Sequence, residues 1–267
     1  MINEEDLMLN LLSDNPIYVG ELPINKISLK TIANFGFSLY LTILSVLTIS
    51  QNSIDNILAE SKMDETTEIL ELDENFNVIE KKQNISSIHP LNFLLITSIQ
   101  DIETFNKVKS LLSLICNIPK DDIRVDLKNE LFIIGKYKLD KNNFDDFQKI
   151  VKIRNGILDV KEAEENPSNE RARRLLAKRK AIREKIAKQR REENNVSIAD
   201  LVSILAERTG LSLNQVMEYD LYQLNNQIKR VQIYNTYSTN IQALMNGAKS
   251  EDINLKYFIR SIDENED

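Results

Sequence analysis

From Thr31 to Ile54 the chain reads TIANFGFSLYLTILSVLTISQNSI without one charged residue, a run long enough on length alone to cross a bilayer. Its polar residues Thr31, Asn34, Ser38, Thr42, Ser45 and Thr48 recur every three or four positions, so they fall on one stripe of a helix. A lipid-facing helix has no need of such a stripe. Ser and Thr are tolerated in membranes, but the pattern favours a helix over residues 28–51 that is buried or covered by a partner, with Ser28 as its N-cap. Ahead of it, PIYVGEL reads as a short strand that leads through PINKIS into the helix. From Glu60 to Lys82 the chain is acid-rich with little periodicity, and only ILELDENFNVIE suggests a hairpin within an excursion.

Helical spacing returns in HPLNFLLITSIQDIETFNKVKSLLSLICNI, with Pro90 at a first turn and a second helix over 102–116. Phe105, Val108, Leu111, Leu112 and Ile115 form its inner face. IRVDLKNELFIIGKYKL reads as two strands around Lys128 and Asn129, with 131–134 buried. NNFDDFQKIVKIRNGI predicts a helix capped by Asn142 or Asn143, with Phe144, Phe147, Ile150 and Val151 inward and Gly156 at its end. Beyond a polar linker, KEAEENPSNE, the chain is helical by pattern. Ser197 with Asp200 caps a helix ending at Gly210, a short helix starts at Ser212, a long one runs from about Leu221 to Met245, and INLKYFIRSI is a last amphipathic element. The expected organisation is a mostly helical α+β N-terminal domain over 1–158, an acidic linker and long basic connecting helix over 159–195, and an all-helical C-terminal domain over 196–267.

Charge changes this picture at one place. Between Arg171 and Arg191 stand eleven Lys or Arg against one acid, in a chain whose net charge is −7. Helices exposed to water usually alternate Glu and Lys four apart, which offsets like-charge repulsion; here Glu184 with Lys188 is almost the only such pair. An anion is therefore expected nearby, with Arg173, Arg174, Lys178, Arg179 and Lys185 as its contacts. Three sources compete: a solvated interdomain or self-associating helix meeting acids of this chain, an acidic partner protein, and nucleic acid, in that order. No aromatic residue interleaves the cations, so bases of a single strand would find no stacking platform.

Other chemistry is thin. One Cys, one His and no Trp leave no disulfide framework, no Cys-rich metal site and no His-based triad. No phosphate loop or nucleophile elbow is present, Cys116 reads as a small core residue, and Asp140, Asp145 and Asp146 sit where carboxylates cap helices. No enzyme activity, metal or cofactor is expected. The start MINEEDLMLNLL carries acids where a secretory signal carries bases, so the cytoplasm is the expected compartment, without membrane attachment. LAERTGLSLNQVMEY places Ala206, Gly210 and Val216 at the small, glycine and buried positions of a helix-turn-helix. Its second helix would nevertheless offer Asn214, Gln215 and Glu218 to DNA, with Asp220 beyond and no cation until Lys229, and phosphates would repel the acids.

The long helix presents Leu221, Leu224, Ile228, Val231, Tyr234, Ile241 and Leu244 at partner-binding spacing. The segments LYQLNNQIKR, YSTNIQALMNGA and LKYF make this region resemble the C-terminal part of bacteriophage tail assembly chaperones from phages of low-GC Gram-positive hosts. Tyr257 and Phe258 stand where such proteins commonly carry His-Trp. IYVGELPINKISLKTIANFGFSLYLTILSVL and KNNFDDFQKIVKIRNGI also resemble pieces of phage structural-module proteins. The resemblance implies a non-enzymatic protein of the host cytoplasm that binds the helical tape measure protein, keeps it soluble, and is displaced as tail tube protein polymerises. Two alternatives from other classes are a DNA-binding protein using the helical corner and basic segment, and a tail or baseplate subunit retained in the virion.

Overall fold

The charge-free run folds as two helices, α2 (Leu29–Phe35) and α3 (Phe37–Leu47), bent by 99°, and not as the one helix expected over 28–51. The cause is Gly36. Its φ of 97° lies where a residue with a Cβ is strained. Its amide closes α2 by donating to the carbonyls of Ile32 and Ala33, and its carbonyl opens α3 by accepting from the Tyr40 amide at 2.8 Å. Ser28 caps α2 as expected, its Oγ accepting from the Thr31 amide at 3.2 Å. On α3 the polar stripe faces outward at Ser38, Thr42 and Ser45, while Tyr40, Ile43, Leu44 and Leu47 are buried. Among the described residues, no single helix is long and apolar enough to cross a membrane.

These observations come from a computed structural model, which describes residues 4–60, 66–72, 78–84, 88–157, 196–253 and 255–262. The chain divides into two units. The first comprises Met1–Ile157 together with Glu218–Gln223, and the second Leu158–Met217 with Leu224–Asp267. The architecture is α+β in the N-terminal part and helical in the C-terminal part.

In the first unit, α1 (Glu4–Leu12) is followed by the antiparallel hairpin β1 (Ile17–Val19) and β2 (Leu22–Ile24), with Ile17 opposite Ile24. The sequence reading of PIYVGEL as one strand leading onward is thereby replaced by a hairpin turning at Gly20. Next come α2, α3 and α4 (Gln51–Glu60), then the hairpin β3 (Thr66–Leu72) and β4 (Val78–Asn84) in the acidic excursion. Helices α5 (Pro90–Gln100) and α6 (Ile102–Cys116) lead to a three-stranded antiparallel sheet, β5 (Ile123–Asp126), β6 (Leu131–Ile134) and β7 (Tyr137–Leu139), in that spatial order. α7 (Phe144–Arg154) follows.

Helix α6 carries the core stripe: Val108, Leu111, Leu112 and Ile115 are buried and Phe105 half-buried. All four inward residues expected on α7 are buried as well. Two polar side chains close helix ends that would otherwise leave carbonyls bare. Asn25 donates to Ile115 O through both its backbone amide and its side chain. Gln148 of α7, itself buried, donates to Leu47 O at 2.9 Å and Ile49 O at 3.1 Å just past α3.

The second unit contains α8 (Ile198–Thr209), α9 (Leu213–Met217) and most of α10 (Leu221–Met245). α8 starts with a reciprocal capping box between Ser197 and Asp200 and ends on Gly210, left-handed at φ 72°. Its core includes Val202, Leu205, Ala206, Val216, Leu224 and Ile228. INLKYFIRSI, expected as a final amphipathic element, forms no regular helix: after a 3-10 turn at Ser250–Asp252, residues 255–262 run irregularly and pack by their rings.

Candidate partner-binding surface

The apolar stripe of α10 starts in the core and runs out into solvent. Leu221, Leu224 and Ile228 are buried, so these three of the seven expected partner contacts are already covered by the chain itself. Val231, Ile241 and Leu244 are half-buried and Tyr234 is 55% exposed. Past Ile228 no residue of α10 is buried, and from Val231 to Ala248 none is charged. A helix facing water for about four turns ordinarily carries charges; this one carries Asn, Gln, Thr and Tyr in their place.

Residues 255–262 return along this helix. Tyr237 meets Tyr257 edge-on with centroids 5.7 Å apart, and Phe258 at 5.4 Å; Tyr234 meets Phe258 edge-on at 5.6 Å. Edge-to-face contacts set the positive rim of one ring on the negative face of another, a stabilisation of about 1 kcal/mol per pair beyond burial. Arg230 Nη1 fixes the segment by donating to Arg260 O at 2.6 Å. Tyr234 and Tyr257 of this cluster remain exposed, as do Leu255 and Ile259 of the same segment. The result is an aromatic and aliphatic surface with few charges, suited to an apolar helix and to association that salt does not weaken. The cluster leaves no periodic signal in the sequence, where Tyr257 and Phe258 stand out only as a departure from a family pattern.

The other expected contacts lie elsewhere. Arg173, Arg174, Lys178, Arg179 and Lys185, with the whole basic connecting helix, fall outside the described residues. At the helix-turn-helix-like corner, Ala206 and Val216 are buried and Gly210 is left-handed, as the pattern requires. But α9 has five residues, a rise of about 7 Å, too short to lay several side chains against base edges. Asp220 is not offered to DNA at all.

Asp220 instead anchors Glu218–Gln223 in the first unit. Its Oδ2 accepts from Arg154 Nη1 at 3.1 Å, and both side chains are buried, 3% and 4% exposed. Its Oδ1 caps α10 by accepting from the Gln223 amide at 2.8 Å, while Gln223 Oε1 accepts from the Asp220 amide. Arg154 Nη2 donates to Asn15 O, Gln223 Nε2 to Leu12 O, and the Leu29 amide to Tyr219 O. Burial holds the Asp220 carboxyl above its ordinary value, against the opposing pull of the Gln223 amide and of Arg154. Beside the pair lies a small cavity whose lining includes Tyr40, Asn155, Asn25 and Ile115; the Tyr40 hydroxyl donates to Asn155 Oδ1. Burial is also the main reason the Tyr40 hydroxyl is held well above the ordinary tyrosine range. Neither Arg154 nor Asp220 was singled out as a pair from the sequence, since 66 positions separate them.

Cys116 is buried and its thiol is pushed up to about 12 by desolvation, which suppresses the thiolate that a nucleophile needs. Asp140 accepts from the Asn142 amide at 2.8 Å, and Asp145 faces His89, both at the start of α7. Among the described residues, no three His, Cys, Asp or Glu stand where they could hold a metal.

No curated protein and no solved structure matches the chain. Residues 188–263 match a family model described as the YomV second domain, a phage-associated family, and the match takes in α8, α9, α10 and the aromatic segment: it supports a phage protein.

Proposed function

We propose that the chain is a phage tail assembly chaperone, a non-enzymatic protein of the host cytoplasm that binds the helical tape measure protein and keeps it soluble until tail tube protein polymerises around it. The observation that carries this reading is the α10 stripe outlasting the core: Val231, Tyr234, Ile241 and Leu244 continue the line of Leu221, Leu224 and Ile228 after burial has ended. With Tyr257 and Ile259 beside them, they form a surface for one face of an apolar client helix. Each copy contributes a short contact of modest affinity, so a long repetitive client recruits many copies and can still be stripped by a polymerising tube. The phage-associated match over the same residues supports the setting.

The test is co-expression of the full chain with a helical segment of a phage tape measure protein. Co-purification and client solubility are expected, lost in Tyr234→Glu and Ile241→Glu, and retained at 0.5 M salt. A client that stays insoluble and fails to co-purify at low salt would overturn the reading.

A further inference from the structure

His89 is the single histidine of the chain, and it is the N-cap of α5. Its Nδ1 accepts from the Leu91 amide at 3.2 Å, while Nε2 stands 3.4 Å from Asp145 Oδ1 on the first turn of α7. The ring packs edge-on against Phe144 at 6.0 Å. Both contacts are satisfied by one neutral tautomer alone, with the proton on Nε2 and the lone pair on Nδ1. The residue stands five positions after the end of the β3–β4 hairpin, where the chain re-enters the helical part of its unit.

We infer that His89 is a proton-sensitive joint: held as the Nε2–H tautomer it caps α5, and protonation at Nδ1 uncaps the helix. A second proton turns the capping acceptor into a donor pointed at an amide N–H, so the cap is lost whatever else the imidazolium gains. Nε2 faces Asp145, whose side chain is 73% exposed, and Nδ1 faces the amides of the first turn of α5, which have no partner within the helix. The other charged groups on the neighbouring elements are Asp146, Lys149, Lys152 and Arg154 on α7 and the Glu130–Lys141 pair, which reaches α5 through Asn92; α5 itself carries no charged side chain. With the Nδ1 acceptor gone, the first turn of α5 loosens on acidification.

The tautomer is read directly by long-range 15N–1H NMR of the full chain at pH 8, where one histidine gives one unambiguous pair of ring nitrogens. The Nε2–H pattern is expected; an Nδ1–H pattern overturns the inference without any mutation. Hydrogen exchange at Leu91, expressed as protection relative to the unstructured rate at each pH, is expected to fall at least threefold between pH 8 and pH 5. In His89→Asn, whose side chain caps without titrating, that protection is expected to stay level. Equal pH dependence in both proteins would overturn the inference.

Discussion

Replacing Asp220 by Ala separates the two contributions of the buried anchor. With its partner gone, Arg154 is left 4% exposed and charged, a situation that costs about 3–5 kcal/mol. The α10 cap to the Gln223 amide is lost too, adding about 1 kcal/mol. The expected loss of about 4–6 kcal/mol is a large share of the ~5–15 kcal/mol typical of a domain. Asp220→Asn keeps a capping oxygen but removes the charge, and should fall between the variant and the wild type. The double variant Arg154→Met with Asp220→Leu removes both desolvated charges, so it should recover all but about 1–2 kcal/mol of the loss. Urea unfolding followed by circular dichroism gives these stabilities and, with the single variants Arg154→Met and Asp220→Leu completing the cycle, a coupling energy of at least ~2 kcal/mol. Additive single and double variants, or a loss below 1 kcal/mol in Asp220→Ala, would refute the argument. Acid does not imitate the substitution. Because burial raises the Asp220 value in the folded chain, its contribution to stability is complete below the unfolded carboxyl value and declines as pH rises through the folded one.

Two further outcomes follow from single residues. Gly36→Ala should cost about 1–2 kcal/mol through backbone strain at φ 97° alone, because its Cβ would meet only Leu39 Cβ at an ordinary 3.8 Å; an unchanged melting temperature would show that the bend does not depend on this residue. The Cys116 thiol, raised from 9.0 to about 12 by burial, gives stability that is full below its unfolded value and is lost as pH rises toward about 12. Between pH 8 and 10.5 the wild type should therefore lose stability more steeply than Cys116→Ala, and equal slopes in urea titrations would contradict this.

What the sequence disclosed and what it hid divide along physical lines. The 102–116 helix, the α10 span and the Ser197–Asp200 box were legible because a cap, a period of 3.6 and a stop residue are all local. The Gly36 break was hidden because the apolar run around it satisfies a helical pattern on both sides, and a glycine in mid-run is tolerated often enough to be read through. The anchor was hidden for the opposite reason. Arg154 is a cation in the last turn of its helix and Asp220 an acid ahead of another, so each has a sufficient local explanation. Nothing local asks for a partner, and their pairing leaves no periodic trace. At the candidate surface, the spacing located the stripe on α10 but not its exposure, since a helical period says which residues share a face and not where the core ends.

The place of Glu218–Gln223 in the first unit also sets a timetable. A ribosome delivers Arg154 to the nascent chain long before it delivers Asp220, and at 5–20 residues per second the guanidinium waits several seconds for its counter-charge. Through that interval the Leu12 carbonyl and the Leu29 amide also lack the groups that Gln223 and Tyr219 bring. The N-terminal unit therefore reaches its final hydrogen bonding only as the C-terminal helix begins to emerge, which ties the maturation of one half of the protein to the synthesis of the other. A ribosome stalled shortly after residue 157 would display a half-built fold, sensitive to protease.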